Sequence, residues 1–250
     1  MLAVLSAAAP GPAGVTPKGA GRTGPAGRAS TGRPPRTEGG AAMTETPRPE
    51  RPIRLALIIA SHRRNGNAEL LAETAVAAAP VPLEVDRIRL IDYRIERYPD
   101  VRHSGSPVPR IDDDYDAVLR RVLDADALLL AVPVYWYSMP GVLKDFLDRW
   151  SGSLRDPEVR FRERMRGKPV FVATVVSDED RSVAEPLIKS LWLTCHYYLG
   201  MRWGGVAVGY GDRPGDVVND AQGMAEARDL LKPLASEDIR KGPPGRGAAR

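Results

Sequence analysis

The stretch Arg54–Ala68 (RLALIIASHRRNGNA) joins three signals end to end. Arg54–Ser61 is a continuous apolar run, as expected of a parallel strand buried on both faces. A short polar turn follows, and Asn67–Ala79 continues as an Ala/Leu/Glu-rich helix. A strand that feeds a helix this way places the helix N-terminus, with its unpaired N–H groups and positive dipole end, beside the strand's carboxyl end. An anion is favoured there. Gly66 lets a ligand approach the backbone closely. Ser61 and Asn67 bring side-chain donors, and Arg63 and Arg64 bring charge that can grip a phosphate bidentately. On its own the segment also reads as a plain turn in which Asn67 only caps the helix.

The same alternation repeats along the chain. Leu83–Leu90 alternates with period two, a strand nearer an edge. Ile91–Asp112 is a long polar connection. Asp113–Ala125 sets Tyr115, Val118, Leu119, Val122 and Leu123 on one helical face. Asp126–Tyr135 is a second buried strand, Gly141–Trp150 a short helix and Lys168–Val176 the fourth strand. Ala184–Leu199 is a helix, Gly204–Gly209 the fifth strand and Val217–Leu234 the closing helix. Strands alternating with helices imply an α/β, three-layer, doubly wound parallel sheet, because each crossover is right-handed. The dinucleotide fingerprint G-x-G-x-x-G is absent after the first strand, and Gly167-Lys168 is followed by Pro169, which excludes a Walker loop. The expectation is therefore the flavodoxin-like five-stranded order 2-1-3-4-5, whose ligand lies beyond the carboxyl ends of strands one and three.

Strand three ends in Pro133-Val134-Tyr135-Trp136-Tyr137-Ser138-Met139-Pro140-Gly141. Three adjacent aromatics in a loop exceed what core packing needs. They suit a planar ligand, and equally a subunit interface, where aromatics are also enriched. In the 2-1-3 order this loop and the Ser61–Ala68 loop are two halves of one crevice, which strengthens both readings.

These motifs resemble those of the NAD(P)H-dependent FMN reductase family, nearest its iron–sulfur flavoprotein branch. The first family motif, roughly G-S-P-R-x-x-G-N-T, corresponds to Ala60–Ala68. The second, roughly P-V-Y-W-x-S-x-P-G-x-L-K-x-F-x-D-R, corresponds to Pro133–Arg149 (PVYWYSMPGVLKDFLDR). The resemblance implies FMN as cofactor and NAD(P)H as substrate. It implies that Ser61, Arg63, Asn65, Gly66, Asn67 and Ala68 hold the phosphate, and that Pro133, Val134, Tyr135, Trp136 and Ser138 hold the ring, with Ser177 also touching the flavin. It names no catalytic acid or base. Three departures stand out. Ala68 replaces the usual Thr and removes a hydroxyl donor. Tyr98–Asp114 holds no cysteine, which excludes the branch's cluster there. The loop Ser177-Asp178-Glu179-Asp180-Arg181-Ser182 places three carboxylates where anionic NAD(P)H would approach, with Arg181 expected to offset one.

The 250 residues carry a formal charge of +4, which taken whole suggests a nucleic-acid or membrane-surface binder. The charge is partitioned. Residues 1–50 hold six Lys/Arg against three Asp/Glu, and residues 236–250 hold four against two, leaving 51–235 at −1. A nucleic-acid partner is therefore not expected. No apolar run has the length of a membrane span, so neither is a membrane. Residues 1–50 contain nine Gly, eight Pro and no aromatic residue, too little apolar surface to offset ordering, and are expected to be a disordered extension. The folded domain is expected at 51–235, with a flexible tail at 236–250. Met1–Pro10 mimics a signal peptide but lacks a preceding basic region; Met43, just before the ordered pattern, is an alternative start. The single cysteine, Cys195, fits a reducing, cytoplasmic setting and a buried inert thiol. Asp112–Asp114 reads as a helix-capping run. Lys144, Asp145, Asp148 and Arg149 read as a solvated or subunit-contact face.

The expected activity is ping-pong transfer, hydride from NAD(P)H to FMN and then electrons to a quinone, flavin or other small acceptor. The expected assembly is a homodimer or homotetramer, with the Ile91–Asp112 excursion and the Gly141–Arg149 helix contributing. Two alternatives stay open: an electron carrier reduced by a partner protein, and a flavin-free binding or regulatory module.

Overall fold

The computed structural model describes residues 51–101, 103–105 and 109–236. The expected N-terminal extension and the tail beyond Ser236 lie outside the described residues. Five strands, β1 (Ile53–Ile59), β2 (Leu83–Arg89), β3 (Ala127–Pro133), β4 (Pro169–Val176) and β5 (Arg202–Tyr210), form one sheet in the order β2-β1-β3-β4-β5. Every pairing is parallel. The expected topology is present, with the chain reversing direction across the sheet between β1 and β3.

Among the described residues six α-helices cover the sheet: α1 (Asn67–Ala77), α2 (Tyr115–Asp124), α3 (Gly141–Ser153), α4 (Phe161–Met165), α5 (Glu185–Trp192) and α6 (Ala221–Leu230). Successive strand residues point to opposite faces, and each face builds its own core. Leu55, Leu57 and Ile59 of β1 pack with Leu71 and Ala75 of α1 and Ala227 and Leu230 of α6. Ala56 and Ile58 pack with Val118 and Val122 of α2, Phe146 of α3 and Leu187 and Leu191 of α5. The result is three layers.

Local chemistry moves several boundaries from their expected positions. Helix α2 starts at Tyr115, whose N–H donates to Asp113 at 3.2 Å, while the carboxylates before it also hold the preceding segment. Asp114 accepts from the Arg94 N–H at 2.7 Å, and Asp113 accepts from the Glu96 N–H at 2.9 Å. The expected Ala184–Leu199 helix changes at Leu193 into a π-helical turn through Tyr198. The Thr194 hydroxyl donates to the Ser190 carbonyl at 2.9 Å there, competing for a main-chain acceptor. The expected closing helix is divided by Asp220, whose carboxylate is taken by the Tyr210 N–H at 2.8 Å and by Arg181. Helix α4 was not anticipated. Cys195 is fully buried, and burial pushes its thiol up to about 12, as expected of an inert cysteine. No helix among the described residues is long and apolar enough to cross a membrane.

Arg149 corrects the reading of α3 as an open charged face. Lys144 and Asp148 do pair in the open, at 2.5 Å. Arg149 instead points inward, where its side chain is 9% exposed and its ion-pair partner Asp113 is 1% exposed. The guanidinium lies over the Tyr115 ring, 4.3 Å from its centroid, and donates to the Glu96 carbonyl at 3.1 Å. Burial pushes the Asp113 carboxyl up, but Arg149 and the N–H groups of Glu96 and Tyr115 outweigh it and hold the group below the usual carboxylate range. One arginine thus joins α3, the start of α2 and the Arg94–Glu96 segment.

Candidate functional site

The turn between β1 and α1 is built for close main-chain approach. The Ser61 hydroxyl, buried, accepts from the Arg63 N–H at 3.0 Å and folds the turn on itself. Asn65 takes a left-handed φ of 54°, a conformation that asparagine tolerates. Gly66 is the N-cap of α1 and has no capping side chain. A Cβ there would stand 3.0 Å from Ser61 Oγ, so a larger residue would press on the hydroxyl that folds the turn. The first-turn N–H groups of α1, uncapped, remain as anion donors.

The charged residues of this turn divide by partner. Arg64 pairs with Asp92 at 2.6 Å. Arg63 is exposed and forms no ion pair among the described residues. Asn67 is at the start of α1 as expected, but its carboxamide is engaged. Nδ2 donates to the Arg213 carbonyl at 2.9 Å, and Oδ1 accepts from the Gly215 N–H at 2.8 Å. The clamp therefore takes its Oδ1 and one of its two Nδ2 hydrogens, leaving one Nδ2–H and the main-chain N–H for an anion. Ala68 is buried beneath the turn.

The loop after β3 is a two-residue reversal. Tyr135 and Ser138 exchange main-chain hydrogen bonds at 2.9 and 3.0 Å. Trp136 and Tyr137 between them both take left-handed φ values, 50° and 61°. Glycine and asparagine usually fill such a turn, so two aromatics there store strain. The side chains stand out of the fold: Trp136 is 93% exposed and Tyr137 59%. The loop's base is fixed, because Pro133 pairs with Val175 and the Val134 N–H donates to the Val175 carbonyl at 3.1 Å. Ser138 and, at the end of β4, Ser177 are exposed. The two loops meet where the His62 and Tyr135 rings stack, centroids 6.2 Å apart and 19° between planes. The structure therefore brings the two motifs together at the carboxyl ends of β1 and β3.

The loop after β4 differs from expectation at Arg181. Asp178 and Asp180 accept from the N–H groups of Asp180 and Ser182, each at 2.9 Å, and shape the turn. Arg181 turns inward to Asp220 at 2.5 Å and to the Val208 carbonyl. It does not offset the loop carboxylates, because a more buried carboxylate has taken it.

Sequence reasoning missed the pair Glu69–Arg89. Glu69, in the first turn of α1, accepts from the Asn65 N–H at 2.9 Å and from Arg89 Nη1 at 3.0 Å, and both side chains are nearly buried. A nearly buried carboxylate needs such neutralisation. Its spacing after Gly66 is a helix-start signal of the capping-box kind; Arg89, on the neighbouring strand, has no local signal. Among the described residues no group of three or more His, Cys, Asp or Glu side chains is placed to hold a metal ion.

Comparison with known proteins identifies the family. Residues 53–201 match the model of the NADPH-dependent FMN reductase family. The Bacillus subtilis chain YwqN, whose name describes an NAD(P)H-dependent FMN-containing oxidoreductase, is 36% identical over 181 residues, covering 72% of this chain and 97% of that one. An iron–sulfur flavoprotein of Methanocaldococcus jannaschii is 29% identical over 185 residues, covering 71% and 93%. The solved structure of the Trp repressor binding protein from Bacillus subtilis superposes with a TM-score of 0.59 at 33% identity, covering 73% of this chain and 99% of that one. The chain belongs to the NADPH-dependent FMN reductase family: it is an oxidoreductase that uses FMN as cofactor and NAD(P)H as substrate.

Proposed function

We propose that this family member holds FMN in the crevice between the Ser61–Ala68 and Pro133–Ser138 loops and passes electrons from NAD(P)H to a small planar acceptor, such as a quinone or a free flavin, by a ping-pong mechanism. The observation that carries this is the His62–Tyr135 stack, which joins a turn of anion donors to a loop of exposed aromatics. The residues suit the cofactor in kind. Ser61, Arg63, the Asn65–Gly66 turn and the main-chain N–H groups of Asn67 and Ala68 would receive the phosphate. Pro133, Val134, Tyr135, Trp136, Ser138 and Ser177 would frame the ring, with aromatic faces on one side and main-chain polar groups at its edge.

Bound FMN supplies a hydride-accepting centre that can return electrons to a second molecule. The chain's own residues bind and orient. Tyr135 and Trp136 offer stacking surface to any flat reactant. No side chain is assigned as acid or base. We place the enzyme in the cytoplasm, where NAD(P)H is supplied, and as a homodimer or homotetramer, since a neighbour would cover the exposed Trp136. The near-neutral charge of residues 51–235 supports no nucleic-acid partner.

Steady-state rates with NAD(P)H and a benzoquinone varied together test the mechanism. Parallel double-reciprocal lines are expected, because both substrates use one site in turn. Intersecting lines would require a ternary complex and overturn the ping-pong assignment. Failure of NAD(P)H alone to reduce the flavin under anaerobic conditions would favour the electron-carrier alternative.

A further inference from the structure

The engagement of Asn67 has a second effect: it brings a distant turn onto the start of α1. Its two carboxamide bonds, to the Arg213 carbonyl and the Gly215 N–H, fasten residues 213–215, beyond β5, to the helix's first residue. The approach is tight. A Cβ on Gly211 would lie 2.9 Å from both Asn67 Nδ2 and the Val217 N–H nitrogen, so a side chain at 211 would push the turn away. The turn is braced internally as well. The Arg213 N–H donates to the Asp216 carboxylate at 2.7 Å, and the Asp216 N–H donates to the Arg213 carbonyl at 3.1 Å.

The fastened turn carries an uncommitted cation. Arg213 is exposed, and its guanidinium forms no ion pair among the described residues. Around the same helix end Arg64 is engaged by Asp92 and Arg89 by Glu69. The side-chain donor set here is also reduced, because the clamp takes one of the two Nδ2 hydrogens of Asn67 and Ala68 presents a methyl group.

We propose that Arg213 is a further phosphate-binding residue, its guanidinium closing the FMN phosphate site from the β5 side and supplementing a donor set reduced at Asn67 and Ala68. The proposal rests on the reading of this crevice as the FMN site. Its charge adds to that of Arg63, and a guanidinium matches two phosphate oxygens at once.

The test is equilibrium binding of FMN and of riboflavin, which lacks the phosphate, to the flavin-stripped full chain, followed by flavin fluorescence. For Arg213→Gln the expected result is FMN binding weakened about tenfold or more, the range of a lost charge-assisted hydrogen bond, with riboflavin binding unchanged. Arg213→Lys should recover part of the loss. Gly211→Ala, which displaces the clamp, should repeat the pattern without touching the arginine. Unchanged FMN affinity in Arg213→Gln would overturn the proposal, as would equal losses for FMN and riboflavin. A parent chain that binds neither flavin would overturn the underlying site reading instead.

Discussion

Arg149→Ala unfolds at a much lower urea concentration than the parent chain. The substitution removes the buried guanidinium and leaves the Asp113 carboxylate, 1% exposed, without its counter-charge. Breaking a buried pair from one side costs about 3–5 kcal/mol, far more than the pair contributes against an apolar replacement. It also removes the bond to the Glu96 carbonyl and the contact over Tyr115. The pH dependence identifies the cause. In the parent, Asp113 titrates below its ordinary value, so its contribution is present above about pH 3.8 and is lost as the pH falls through the lower folded value. In the variant only burial and two N–H groups act on the carboxyl, and its folded value rises. The deficit relative to the parent is then full at neutral pH and narrows as the pH falls through the variant's higher folded value and then the parent's depressed one, below which both forms carry the proton. Urea unfolding followed from pH 7 to below the ordinary carboxylate range measures both effects. A deficit under 1 kcal/mol, or one constant with pH, would contradict the assignment.

The double substitution Trp136→Asn/Tyr137→Gly moves stability and flavin affinity in opposite directions. Both positions have left-handed φ values, and the Cβ of an ordinary residue costs about 1–2 kcal/mol there. Asparagine and glycine fit this turn, so the thermal midpoint rises. The same change removes the most exposed aromatic surface of the crevice, Trp136 at 93%. An aromatic stacking partner contributes about 0.5–1.5 kcal/mol beyond area burial, so FMN binding weakens by up to about tenfold. Thermal melts of the flavin-stripped chain and flavin titrations measure the two effects separately. A variant that both melts earlier and binds FMN as tightly as the parent would contradict the claim that the strain is retained for the ligand.

The sheet order and the meeting of the two loops were legible because both follow from local signals. The apolar runs of β1, β3 and β4 mark strands buried on two faces, and the missing glycine fingerprint selects the 2-1-3-4-5 order. That order brings His62 to Tyr135. What was not legible concerns the partners of charged and polar side chains. Arg149 sits in a motif with Lys144 and Asp148 and looks like part of their exposed face, yet its partner lies 36 residues earlier. Asn67 looks like a phosphate donor, yet its carboxamide is held by a turn 146 residues later. Arg181 looks like relief for an acidic loop, yet Asp220 holds it. In each case the residue type was informative about chemistry, while topology chose the partner. Boundaries moved for the same reason: Asp113, Asp114 and Asp220 bond to main-chain groups of other segments, and the helices start or break where they do so.

The central claim is that this crevice binds FMN through its phosphate turn and aromatic loop. Its most direct test is flavin content: the visible spectrum of the purified full chain, with the flavin released on denaturation identified and counted, and apoprotein titrated with FMN where release is incomplete. The account predicts flavin absorbance, release of FMN and uptake of one FMN per chain. A colourless chain that takes up no added FMN would contradict it.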